Sequence, residues 1–177
     1  DWCLIGEASS QHQLGDAVKI GRRGSLHGEL TVQGKQGHIA YPQLADNPIH
    51  RCFKALDTLT ETQWDQGNAH FTPTSFQIYH IHADTGACNM IPGNLSAKFN
   101  FRYAPSSTHE YLMQQVESTL DRYELDYDIQ WNLSSEPFLS EPSTLTRSAQ
   151  QAIRNTLGID TELNTKGGTS DGRFIIK

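Results

Sequence analysis

Several residues in this sequence could carry chemistry. Glu7 lies between Gly6 and Ala8 at what reads as the end of a strand. A carboxylate there suits either a metal ligand facing a cleft or a solvated surface residue. Gly37-His38-Ile39-Ala40-Tyr41-Pro42 is sharper, because glycine lets the backbone turn and proline fixes the exit, with His38 and Tyr41 close in sequence. His38 could donate a hydrogen bond to a developing oxyanion, or simply pack on its own tyrosine. Asn89 sits in a turn between two strands, where an amide usually closes the turn. Arg102, out of phase with Phe101 and Tyr103, could fork onto a carboxylate or form a structural ion pair. Gly167-Gly168-Thr169-Ser170-Asp171-Gly172 follows a strand and reads as opening a helix whose N–H groups could receive an anion. The Lys-Ser/Thr ending of a phosphate loop is missing there. His80 and His82 share a strand face and read as solvated. No GxSxG elbow or Ser-His-Asp set is present, so a nucleophilic serine is not expected.

The elements that must position these residues follow from periodicity. Trp2 to Ile5 has the apolar character of a buried strand, and the chain stops inside the apolar Phe174-Ile175-Ile176-Lys177, so a fragment is expected. Gly24 marks a domain boundary, and Leu26 to Val32 alternates as a strand. Asp46 or Asn47 can cap a helix with Pro48 in its first turn and Ile49, Cys52, Phe53, Leu56 and Leu59 at helical spacing. Thr74 to Ala83 and Asn94 to Tyr103 read as strands, the second with Leu95, Ala97, Phe99, Phe101 and Tyr103 on one face. Thr108 opens a second amphipathic helix, and Tyr127 to Trp131 is a closing strand. This is the split βαβ (ferredoxin-like) order of an α+β fold: an antiparallel sheet with two helices on one face. Beyond Pro137 come a helix near Ser143 to Leu157 and a strand near Thr161 to Thr165, flanking pieces of an α/β domain. The expected division is 1–23, 24–137 and 138–177.

Of the 177 residues, 36% are hydrophobic and 19% charged, with a net charge of −6. The acidic balance excludes a phosphate-binding surface as the main function, so no nucleic-acid partner is expected. No apolar run approaches the roughly 20 residues of a membrane helix, and a cytoplasmic protein without a membrane partner is expected. Cys3, Cys52 and Cys88 are widely spaced and read as buried or half-buried hydrophobes rather than a disulfide framework.

Cys3-Leu4-Ile5-Gly6-Glu7-Ala8-Ser9-Ser10, Gly21-Arg22-Arg23-Gly24-Ser25, the Gly37 to Pro42 motif, Trp64-Asp65-Gln66-Gly67-Asn68 and Lys166 to Phe174 together closely resemble the succinyl-diaminopimelate desuccinylase family of the zinc aminopeptidase and aminoacylase superfamily. The resemblance implies a catalytic α/β domain interrupted by a smaller dimerisation (lid) domain, and a bacterial homodimer acting on a small anionic substrate. It implies hydrolysis of N-succinyl-L,L-2,6-diaminopimelate to succinate and L,L-diaminopimelate by two Zn2+ ions, with Co2+ as the alternative metal. Glu7 inherits a metal-ligand role, and His38 a catalytic one in the partner subunit's active site. Arg22, Ser25, Tyr41, Asn89, Arg102, Gly168 and Thr169 match substrate-binding positions. Ala8 departs from the family's usual proline, which loosens the turn. The family's other ligands have no match in this chain, so an incomplete metal site and no activity of the chain alone are expected. The alternatives are a dimerisation module without activity, or a related N-acyl amino acid deacylase or peptidase.

Overall fold

The computed structural model describes residues 2–168 and 170–175. In chain order the elements are β1 (Ala17–Lys19), β2 (Gly21–Arg22), β3 (Gly24–Gln33), β4 (Gly37–His38), α1 (Pro48–Glu61), β5 (Ser75–His82), β6 (Met90–Ile91), β7 (Asn94–Tyr103), α2 (His109–Arg122), β8 (Tyr127–Ser135), β9 (Phe138–Leu139), α3 (Thr144–Leu157) and β10 (Glu162–Asn164). Short 3-10 turns occupy Pro42–Leu44 and Asp171–Phe174.

The expected α+β, split βαβ arrangement is present. The central sheet has the order β5-β7-β3-β8 and is antiparallel throughout. β3 and β7 pair along their whole lengths, from Gly24 opposite Tyr103 to Gln33 opposite Asn94. Alternation then sends Leu26, Leu30 and Val32, with Leu95, Ala97, Phe99, Phe101 and Tyr103, to one face, where each is at most 1% exposed. Cys52, Ala55, Leu56 and Leu59 of α1 and Leu112, Val116 and Leu120 of α2 join the same core, so both helices cover that face. The Asn47 side chain accepts from Ile49 N and caps α1 with Pro48 behind it, while Thr108 accepts from Tyr111 N to cap α2. Aromatic rings fill the middle of the core: Phe101 lies 4.7 Å from Trp64 and 4.9 Å from Phe76, in edge-on and tilted contacts. Gly28 is required by this packing, because a Cβ there would meet the Phe99 ring at 2.3 Å.

The Trp64 to Asn68 segment is a turn that brings α1 back to β5. Asp65 Oδ1 accepts from Gly67 N at 2.7 Å and Thr74 N at 3.0 Å, and Gly67 takes a φ of 69°. The face of the sheet opposite the helices is polar and open.

Outside this unit, β1 pairs in parallel with β10, and β2 antiparallel with β9. α3 begins with a capping box between Ser143 and Thr146 and ends at Gly158 in the left-handed conformation. Three expectations are corrected. Trp2 to Ile5 forms no strand, and Trp2 and Leu4 are 68% and 70% exposed, because no described strand offers backbone partners to that segment. Phe53 is exposed, since it lies about 100° around the helix from Cys52, which faces the sheet. Cys52 is buried, its thiol pushed up to about 11 by desolvation, but Cys3 and Cys88 are exposed.

Candidate functional site

Glu7 is half-buried, and its carboxylate is tied to the chain rather than left to water alone. Its Oε1 accepts from Ser170 Oγ at 2.8 Å and from Asp171 N at 3.0 Å, across 163 and 164 residues of sequence. Arg22 Nη2 lies 3.9 Å from Oε2. The Ser170 hydrogen bond, then the Asp171 N–H, then the nearby guanidinium hold the carboxyl below its usual range, so it is ionised at neutral pH. The glycine turn does receive an anion, as its sequence suggests, and that anion is the chain's own Glu7. A short 3-10 turn, Asp171–Phe174, stands where a helix is expected.

Arg22 is held as tightly. β2 carries it into the interior, where its side chain is 8% exposed and Nη1 donates to Lys166 O at 2.8 Å. Burial lowers the pKa of this guanidinium, and Glu7 opposes that shift. Lys19, donating to Asn164 Oδ1, is lowered by burial and then by Arg22. Glu7, Lys19, Arg22, Lys166, Gly167 and Gly168 thus line one open cleft of about 380 Å³ with an excess of positive charge. Gly167 has a φ of 110°, which bends the chain beside Arg22.

A second cleft, of about 550 Å³, opens on the polar face of the sheet. Ser25, His27, Arg102, Asn132, Ser135 and Arg173 are among its lining residues. Ser25 and Arg102 are there because they sit opposite each other in the β3–β7 register, on the phase that faces away from the helices. The pKa of Arg23 is lowered first by burial and then by the neighbouring Arg102.

His38, Tyr41 and Asn89 form a third group, on the β4–β6 ladder. His38 pairs with Met90, its Nδ1 accepts from Ala40 N at 3.1 Å, and Nε2 lies 3.3 Å from Asn89 Nδ2. The Tyr41 ring is 5.9 Å away. Gly37 serves close approach rather than a turn, since a Cβ there would lie 2.8 Å from that of Ala45. His38 and Tyr41 are exposed and line neither cleft. Asn89, expected as a turn residue and, by resemblance, as a substrate contact, lies beside the imidazole.

The site residues therefore fall into three groups: Glu7, Arg22 and Gly168; Ser25 and Arg102; and His38, Tyr41 and Asn89. Thr169 lies outside the described residues. The sequence reading missed Ser170, Lys19 and Lys166 around Glu7, and Asn100 and His27 around Ser25. For Ser170, its place in the glycine turn was the available signal. For the strand residues, it was their polar phase in strands where every other position is buried. Among the described residues, no three His, Cys, Asp or Glu side chains converge in a way that could hold a metal ion. No helix among them is long and apolar enough to cross a membrane.

The chain is 62% identical over 175 residues to succinyl-diaminopimelate desuccinylase of Coxiella burnetii, covering 99% of this chain and 47% of that protein. It is 57% identical over 175 residues to the same-named protein of Acidovorax ebreus, covering 99% of this chain and 45% of that one. The chain thus spans about half the length of the curated relatives it matches. Its fold is that of an M20 family metallo-carboxypeptidase from Sulfolobus solfataricus, with a TM-score of 0.75 at 15% identity over 92% of this chain and 51% of that one. A tripeptidase from Staphylococcus aureus has a TM-score of 0.73 at 21% identity, over 96% and 44% of the two chains. Residues 20–128 match the peptidase dimerisation domain, and the chain belongs to that M20 family.

Proposed function

We propose that this chain is the dimerising part, with flanking segments of the catalytic domain, of a metal-dependent amide hydrolase. That enzyme cleaves N-succinyl-L,L-2,6-diaminopimelate to succinate and L,L-diaminopimelate in bacterial lysine and cell-wall synthesis, in the cytoplasm. The observation that carries the reading is the 62% identity to a desuccinylase across 99% of the chain. The sheet unit, residues 24–137, is the lid, and 1–23 with 138–177 belong to the catalytic domain.

Glu7 suits a metal ligand: it is ionised, and two donors on Oε1 fix its direction. A catalytic zinc takes about three protein ligands, and the described residues bring one, so they do not fit a complete pair of Zn2+ or Co2+ ions. The chain alone is inactive on this reading. Arg22 and Gly168 in the first cleft, and Ser25 and Arg102 in the second, are the contacts for a substrate with several carboxylates. Thr169 joins them by resemblance. His38, turned outward and steadied by Asn89 and Tyr41, acts in the partner subunit's active site.

Homodimerisation has physical support at one edge of the sheet. β5 is an edge strand with Tyr79 and Ile81 57% and 54% exposed, and Phe53 of the adjacent α1 is 59% exposed.

The test uses the full-length protein. It should prefer the succinylated substrate over N-acetylornithine by about 100-fold or more in kcat/KM. Chelation should abolish turnover, and zinc or cobalt should restore it. The 177-residue chain should sediment as a dimer and turn over neither substrate. Preference for acetylornithine or for a short peptide would move the assignment to the deacylase or peptidase alternative.

A further inference from the structure

We infer that Asn100 and His27 are positioning residues that aim the Ser25 hydroxyl into the cleft on the open sheet face, and so set the grip on an anionic group bound there. This rests on the reading of Ser25 as a substrate contact. Ser25 is 2% exposed, so the direction of its O–H is decided by protein neighbours. Asn100 Nδ2 donates to Ser25 Oγ at 3.1 Å and to Leu26 O at 3.0 Å. Both amide hydrogens are used, and the amide is tied to the backbone of the strand that carries the serine. The register produces this arrangement, with Asn100 opposite His27 and Arg102 opposite Ser25. At i, i+2 spacing all four lie on the face turned away from the helices.

A serine hydroxyl has one hydrogen and two lone pairs. Asn100 fills one lone pair. His27 Nε2 lies 3.4 Å from the same oxygen and, in the tautomer that carries its hydrogen there, weakly fills the second. The Tyr79 ring stands edge-on to His27 at 6.4 Å and limits its rotation. The Ser25 hydrogen is then left to be donated into the cleft. Arg102 lines that cleft, as does Ser135, whose buried Oγ has no hydrogen-bond partner among the described residues. Donors and positive charge facing one volume suit a carboxylate. Asn100 lines no part of the cleft itself, so its influence on a ligand passes through Ser25.

The test is steady-state kinetics on the full-length enzyme with the succinylated substrate, accompanied by thermal melts. Asn100→Asp keeps the side chain's size but puts an acceptor where a donor stood, drawing the Ser25 hydrogen away from the cleft. It should raise KM about 10-fold or more, as Ser25→Ala does, with kcat within about 3-fold of wild type. The double variant should be no worse than Ser25→Ala, because one residue acts only through the other. If Asn100→Asp fails to fold, His27→Leu should raise KM while His27→Gln, which can still donate, restores it. Unchanged KM in Asn100→Asp beside a raised KM in Ser25→Ala overturns the positioning role, as does full additivity in the double variant. Unchanged KM in Ser25→Ala overturns both this inference and the substrate role on which it rests.

Discussion

The four-stranded sheet with α1 and α2 closes its own core, whereas the flanking segments do not. Phe99, Phe101 and Tyr103 are 0% exposed in the sheet unit, but Leu14, Phe174 and Ile175 of the flanks are 77%, 64% and 55% exposed. α3 is strongly amphipathic and has no buried residue, although its apolar side meets Gly15, where a Cβ would lie 2.9 Å from both Ile153 and Leu157. Yet the flanks hold the Glu7, Arg22 and Ser170 cluster. The filled core is thus confined to the sheet unit, whereas the candidate metal-ligand cluster around Glu7 lies in the flanks and the Ser25–Arg102 and His38 groups ride on the sheet unit itself. Polar clusters in the flanks are held by long-range hydrogen bonds rather than by a filled core.

The largest expected effect tests the first half of that contrast. Phe101→Ala removes a ring packed against Trp64, Phe76 and Phe99, and should cost about 3–5 kcal/mol in urea unfolding of this chain. Phe174→Ala should change the same quantity by less than about 0.5 kcal/mol. Equal losses would erase the distinction between the regions.

The second effect concerns function without stability. In the full-length enzyme His38→Ala should lower kcat by about 10² or more, as loss of an oxyanion donor does, while the melting temperature stays put because His38 is exposed. An unchanged kcat would reject the catalytic role of His38.

These contrasts also show what the sequence could disclose. The β7 alternation from Leu95 to Tyr103 was legible because burying one sheet face imposes a period of two. The Asn47-Pro48 start of α1 was legible because capping is local chemistry. β1 with β10 and β2 with β9 are two- or three-residue pairings, too short to show a period. Trp2 to Ile5 misled because apolar character signals burial but does not supply the partner. In the site, the motif residues themselves were visible, Glu7 and His38 foremost. The Glu7 to Ser170 hydrogen bond was not, because it closes 163 residues of chain and depends on folded geometry. The link from Asn100 to Ser25 was hidden for the same reason, since it rests on register.

A smaller effect compares helix caps across the two regions. Asn47→Ala removes the acceptor of Ile49 N and should lower global stability by about 1 kcal/mol. Ser143→Ala breaks the α3 capping box at similar local cost, but α3 contributes no buried residue. The loss should therefore appear as faster amide exchange in the first turn of α3, with little change in the global midpoint. A global shift as large as that of Asn47→Ala would show that α3 unfolds together with the sheet unit.

The smallest effect is local and pH-dependent. Asp16 accepts from Gln11 N at 2.9 Å on Oδ1, and from His12 N at 2.7 Å and Gln13 N at 3.1 Å on Oδ2. These donors hold its pKa down to about 2. An unfolded aspartate titrates near about 3.9. The folded value is the depressed one, so the stabilisation is fully present above about 4 and is lost as pH falls towards about 2. Amide resonances of Gln11, His12 and Gln13 should move together with a midpoint near pH 2, and in Asp16→Asn this common titration should vanish. A midpoint near about 3.9 would mean that the carboxylate gains nothing from the loop. Because these partners are all exposed backbone groups of one flank, the amides of β3 and β7 should not follow the same transition. If they do, the flank and the sheet unit share one cooperative structure, and the contrast between a self-contained core and loosely held flanks gives way.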